Sequence, residues 1–137
     1  GTWRGFLDIS EKTNLNLPKL HAAQSKEIEP IVAKFNNSDW TFDSSKTTIA
    51  SGISVSNPPR LQEIVDVIKE SKGTALSSTD DEALKWHKIL AKEEGIFCEK
   101  TCAFSFSALE KLVANGVIKK EEKIVIPITG SGLKEAI

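Results

Sequence analysis

Gly1 and Thr2 stand directly before Trp3, Phe6 and Leu7, whose spacing predicts a helix that fades near Glu11 and Lys12. The first N–H groups of a helix have no partner within it, so such a start can hold a phosphate. Thr129, Gly130, Ser131 and Gly132 follow an apolar run. Small residues and hydroxyls there would let a flat ligand approach the backbone, although an ordinary turn has the same composition. Thr79, Asp80 and Asp81 offer an acidic pair of the kind a phospho-acceptor or Mg²⁺ site uses. A helix dipole favours the same residues, and Glu82 completes the spacing of a capping box, so the cap is the preferred reading.

Cys98 and Cys102 are the two cysteines of the chain. They make no disulfide framework. His21 and His87 lie too far off in sequence to complete a zinc set, so reduced, buried thiols are expected and no metal site is. His87 has no Ser or Cys nucleophile at a recognisable elbow, and no residue is assigned a catalytic role. Glu99 falls between the short apolar step 96–98 and the next helix, where a carboxylate could face the ends of strands. An exposed loop carboxylate there would need no function.

The frame that must position these residues reads as alternating strands and helices. Residues 19–25 suit a buried strand, and Ile28, Ile31, Val32 and Phe35 repeat at helical spacing, with Pro30 in a first turn and Asn36 and Asn37 at the end. Residues 38–48 form a polar loop long enough to be functional or to meet a partner. Asn57 is expected to cap a helix starting on Pro58 and Pro59, with Leu61, Ile64, Val65 and Ile68 as its apolar stripe and Gly73 as its stop. A strand over 74–79 leads into the Thr79–Glu82 box and a helix to Gly95, its inner face Trp86, Ile89 and Leu90. Thr101 is expected to cap a helix that runs through Asn115 to Gly116. Residues 123–129 (KIVIPIT) give the strongest strand signal, with Pro127 at a strand end or on a non-bonding side. This alternation predicts an α/β fold of three layers, α/β/α, with a mostly parallel sheet and ligands just beyond the carboxyl ends of the strands.

The 137 residues and 15.0 kDa suit a single domain spanning 1–137. With 18 basic against 19 acidic side chains the chain lacks the footprint of a nucleic-acid binder, and no apolar run approaches the ~20 residues that cross a bilayer. Neither nucleic acid nor membrane is expected as a partner, and a cytoplasmic location is. The absence of Met and the start at Gly1 suggest an excised piece of a longer protein.

Residues 94–99 (EGIFCE), a following helix ending in ALEKL, and residues 127–134 (PITGSGLK) resemble the threonine synthases of the pyridoxal-phosphate fold type II family. Residues 49–58 (IASGISVSNP) and 70–73 (ESKG) are similar to the same family, and Gly1, Thr2 and the helix through Phe6 look like the exit from its phosphate loop. The order of elements agrees over essentially the whole chain. The resemblance implies the C-terminal part of the large cofactor domain. In it Thr129 would meet the pyridine nitrogen of pyridoxal phosphate, Gly130 would belong to the same motif, Gly1 with Thr2 would cradle the phosphate, and Glu99 would lie near the ring. It also implies that the Schiff-base Lys belongs to an absent N-terminal half. The parent would convert the amino acid O-phospho-L-homoserine and water to L-threonine and phosphate, and this portion would be inactive alone. Lys100, Cys102 and Ser131 stand where the family usually has Pro, Ser and often His, which bears on the substrate. A sister lyase such as threonine or serine dehydratase, and a non-catalytic α/β binding module, are the alternatives. A sheet cut from its remaining strands would leave an apolar edge, so a homodimer is expected of the isolated chain.

Overall fold

In the computed structural model, which describes residues 1–135, helix α1 (Thr2–Thr13) starts on Gly1 without a side-chain cap and ends where Asn14 turns left-handed at φ 53°. Strand β1 (Ala22–Ser25) leads to the short helix α2 (Pro30–Phe35), which has Pro30 in its first turn, where a missing N–H does no harm. Helix α3 (Leu61–Glu70), strand β2 (Ala75–Ser78), helix α4 (Asp80–Glu93) and helix α5 (Lys100–Ala114) follow. Two 3-10 turns, Ser51–Ile53 and Gly132–Glu135, complete the elements. The cap of α4 forms as its sequence requires: Glu82 N–H donates to Thr79 Oγ1 at 3.2 Å and Thr79 N–H donates to Glu82 Oε2 at 2.8 Å.

The two strands pair in parallel, Ala22 opposite Ala75 through Ser25 opposite Ser78. Side chains alternate across a strand, so the sheet serves two layers. On one face Ala22 and Ala75 pack with Val32 and Phe35 of α2 and with Ile64 and Ile68 of α3. On the other lies α5, whose Ser107 hydroxyl donates to the buried Ser78 hydroxyl at 2.8 Å. Helix α4 packs beside α5, and Ala83, Ala103, Phe104 and Ala50 form a second apolar cluster there. The α/β/α layering expected from the alternation is therefore present around a two-stranded parallel sheet. Trp86 and Ile89 are only half-buried, and the buried face of α4 is carried by Ala83 and Leu90.

Three local expectations need correction. Residues 123–129 form no strand: they run outside any element, with Val125 89% exposed. Their β-branched side chains favour extended backbone, but a strand also needs a neighbour to bond. Among the described residues the named sheet contains β1 and β2 alone, while Pro127 has no N–H to give. Asn57 does not cap α3. Pro58 and Pro59 are taken up in a turn and the helix starts after Arg60, which bonds Glu63 through its guanidinium. Helix α5 starts two residues earlier than expected, after Glu99 rather than Thr101, and Glu99 makes no side-chain cap bond. Residues 38–48 are irregular as expected, and Asp80 fixes their end by accepting from Thr48 Oγ1 at 2.7 Å and Ile49 N–H at 2.9 Å. That carboxylate is occupied in structural bonding.

Gly73 lets the approach to β2 lie against the approach to β1. A Cβ on Gly73 would stand 1.8 Å from the carbonyl oxygen of Leu20, which is backbone and cannot swing away. Gly5, inside α1, has open space around the same position. We expect Gly73→Ala to destabilise the fold by roughly 1–3 kcal/mol or more, and Gly5→Ala to stabilise it by about 0.5–1 kcal/mol through helix propensity. Urea unfolding of the two variants checks both signs.

Candidate functional site

Two backbone bonds tie the C-terminal segment to the start of α5. Glu99 N–H donates to the Gly130 carbonyl and Gly132 N–H donates to the Phe97 carbonyl, each at 2.9 Å, on either side of an antiparallel bridge between Cys98 and Ser131. Gly132 is needed for the approach because its neighbour is backbone, whereas a side chain at Gly130 would push the Glu99 carboxylate aside. A Cβ on Gly130 would lie 2.3 Å from the Glu99 carboxyl carbon, and one on Gly132 would lie 2.7 Å from the Cys98 carbonyl oxygen. The His87 Nε2 lies 2.9 Å from that same carbonyl, which can only accept, so this ring nitrogen carries the hydrogen. His87 is half-buried, stacks edge-on against Phe97, and props the turn from α4.

Glu99 is the hub. Its side chain is 12% exposed, and the Lys134 ammonium sits directly on its Oε2. The Thr129 hydroxyl donates to Oε1 over a long 3.4 Å, and the Cys102 thiol approaches the same oxygen at 3.9 Å. Cys102, one turn into α5 and buried, also accepts from Thr129 N–H at 3.3 Å and lies 3.6 Å from the Thr129 hydroxyl oxygen. Lys134, by hydrogen bond and by charge, holds the Glu99 carboxyl below its ordinary range, and Thr129 and Cys102 act in the same direction. Glu99 in return raises Lys134. Burial, assisted by Cys102, pushes the Cys98 thiol up, away from the reactive thiolate.

The structure thus brings Glu99, Thr129 and Gly130 together and leaves Thr129 itself exposed. Gly1 and Thr2 lie elsewhere: Gly1 lines an open groove of about 410 Å³ between α1 and α3, together with Trp3, Arg4 and Arg60. The start of α1 has no acidic residue in its first turn, although Asp8 and Glu11 further along the same helix line the groove with Gly1. No hydrogen bond among the described residues links Gly1 or Thr2 to the Glu99 cluster. Cys98 and Cys102 are free and buried. Sequence reasoning missed two members of the site. Cys102 stands three residues after Glu99, the spacing of one helical face, and Lys134 closes the run 127–134, but pairing either with Glu99 requires knowing that the segment folds back.

The model of the family described as pyridoxal-phosphate dependent enzyme matches residues 1–130. The chain is 37% identical to a threonine synthase of Methanocaldococcus jannaschii over 137 residues, a match covering 97% of this chain and 34% of that protein. It is 38% identical to the threonine synthase of Methanosarcina acetivorans over 122 residues, 88% of this chain and 30% of the other. It is 32% identical to that of Halalkalibacterium halodurans, 97% of this chain and 36% of the other. The chain therefore spans about a third of the length of these relatives. Among solved structures, a threonine deaminase from T.th. superposes with a TM-score of 0.57 at 13% identity, covering 90% of this chain and 42% of that one, which shows a shared fold.

Because the folded state lowers the Glu99 pKa, the stability Glu99 contributes is present above its unfolded value of about 4.5 and is lost as pH falls through the lower folded value. We expect Glu99→Gln to flatten the loss of stability on the acid side. Gly130→Ala, whose Cβ displaces the carboxylate, should do the same. Urea unfolding midpoints compared between about pH 3 and 7 test this, since the range spans the unfolded carboxyl value of about 4.5, above which the contribution is present and below which it is lost. Parallel acid slopes in all three proteins would contradict it.

Proposed function

The chain belongs to the pyridoxal-phosphate dependent enzyme family, and we propose that it is the C-terminal portion of the cofactor domain of a threonine synthase. The observation that carries this reading is the convergence of Thr129, Gly130 and Glu99 at the start of α5, joined by the Glu99 N–H to Gly130 carbonyl bond of 2.9 Å. It is supported by relatives named threonine synthase at 32–38% identity.

The donor set fits the cofactor in chemistry. A pyridine nitrogen needs one neutral polar contact, and the exposed Thr129 hydroxyl is such a group. A phosphate needs unpartnered N–H groups, and the start of α1 at Gly1 and Thr2 would supply them, in a groove where Arg4 and Arg60 stand beside Asp8 and Glu11. When bound, pyridoxal phosphate supplies an electron sink for charge developing on the amino-acid substrate. This chain's residues hold the ring and phosphate and keep the edge of the site in place. The carboxylate of Glu99 is paired with Lys134 through Oε2 and accepts from the Thr129 hydroxyl through Oε1, so the group this site would offer a ring nitrogen is a neutral hydroxyl rather than an anion. An anion at that position would favour a protonated ring and a stronger sink.

No lysine of this chain is assigned to covalent attachment. That role falls to a part of the enzyme outside residues 1–137, so this portion alone is inactive. The exposed apolar run of Ile124, Val125 and Ile128 is covered in the whole enzyme by the rest of the domain, and in the isolated chain by a second copy in a homodimer. The substrate is a small amino acid, O-phospho-L-homoserine, and the enzyme works in the cytoplasm.

Incubation of the full-length protein with O-phospho-L-homoserine should release L-threonine and phosphate in equal amounts. A 2-oxo acid and ammonia as the products would instead identify a sister lyase. In the full-length protein, Thr129→Val should weaken cofactor retention by roughly 0.5–1.5 kcal/mol, one neutral hydrogen bond, while leaving the fold intact because the β-branched shape is kept. Borohydride reduction of the 137-residue chain with pyridoxal phosphate should label no single Lys stoichiometrically. One fully labelled Lys with turnover would overturn the division of labour.

A further inference from the structure

The Thr129 hydroxyl has one hydrogen, and two acceptors compete for it: the Glu99 carboxylate in the structure as it stands, and the acceptor atom of any ligand that reaches Thr129 from its exposed side. A carboxylate can only accept, and an unsatisfied one would hold that hydrogen strongly. Glu99 is not unsatisfied. The Lys134 ammonium caps Oε2, the Cys102 thiol reaches Oε1 at 3.9 Å, and the Thr129 hydroxyl is left at 3.4 Å, longer than an ordinary O–H···O bond.

We propose that Lys134 is a positioning residue: by satisfying Glu99 it leaves the Thr129 hydrogen free to be donated to an aromatic ring nitrogen of the bound ligand. The inference rests on the reading of Thr129 as the ring contact. Lys134 does not touch the ligand. It acts through Glu99, and its place on the 3-10 turn Gly132–Glu135 is set by the Gly132 N–H to Phe97 carbonyl bond. Glu135 reinforces the same turn by accepting from Lys100 N–H at 3.0 Å, a bond from the first residue of α5. Among the described residues the charged groups around Glu99 are thus Lys134 on one side and the Lys100–Glu135 pair beyond it.

Removing the ammonium should make Glu99 reclaim the Thr129 hydrogen. If Glu99 is made neutral as well, the competition ends and Lys134 becomes dispensable. That non-additivity separates positioning from simple structural support. The test uses the full-length protein with Lys134→Met, Lys134→Arg, Glu99→Gln and the double variant Lys134→Met with Glu99→Gln. Two readouts are taken: hydrogen exchange over 127–132 without ligand, and retention and absorbance of added pyridoxal phosphate.

Lys134→Met should weaken retention about tenfold, the scale of one lost hydrogen bond, and shift the absorbance band. Lys134→Arg should restore both, and the double variant should bind about as well as Glu99→Gln alone. Without ligand, exchange should rise in Lys134→Met and return in Lys134→Arg. Unchanged retention in Lys134→Met, or a double variant that loses the sum of the single effects, would overturn the proposal. Failure of the wild-type protein to bind pyridoxal phosphate would sink the family-level site reading. The exchange data alone would then judge Lys134: coupling to Glu99 sustains it as the residue that satisfies Glu99, and no coupling removes it.

Discussion

The two reciprocal backbone bonds between 97–99 and 130–132 are what the site depends on. Without them the last few described residues would be tied to the start of α5 through side chains alone, because 123–129 bonds to no strand. With them, a hydroxyl, a thiol, a carboxylate and an ammonium from two distant parts of the chain meet within hydrogen-bonding reach. Gly132 permits the contact by lacking a Cβ, Gly130 leaves the Glu99 carboxylate in place, and His87 holds the Cys98 carbonyl from the far side. The sheet and α5 beneath provide a rigid base for the joint.

The electrostatics follow from that geometry rather than causing it. Lys134 is 61% exposed, and an ion pair with so open a partner adds little to stability in water. Its effect is local: it decides which groups around Glu99 still need a hydrogen. The backbone ties do the holding while the side chains set the chemistry. Thr129 illustrates the split, since its N–H is committed to the buried Cys102 sulfur and its hydroxyl is only weakly engaged.

Much of the frame is legible because it is encoded locally. The Thr79–Glu82 box, the Pro30 start and the stripe of Ile64 and Ile68 each follow from residues one or two turns apart. The two short strands lie where their residues place them but are trimmed to four residues each. Residues 123–129 mislead because Ile124, Val125 and Ile126 report a preference for extended backbone, while a strand exists only if a neighbour offers bonds. In the site, Glu99, Thr129 and Gly130 are marked by the motifs that carry them. Lys134 and Cys102 are not, because their meeting with Glu99 depends on the fold-back of 129–134, a long-range fact that no local spacing contains.

The most direct test of the account is the nuclear magnetic resonance shift of the pyridine nitrogen in full-length protein loaded with nitrogen-15-labelled cofactor. A neutral hydroxyl donating to the ring leaves the nitrogen unprotonated but hydrogen-bonded. The account predicts that signature in the wild-type protein and its movement toward the free, unbonded value in Thr129→Val. A protonated nitrogen whose shift is the same in both proteins would contradict it.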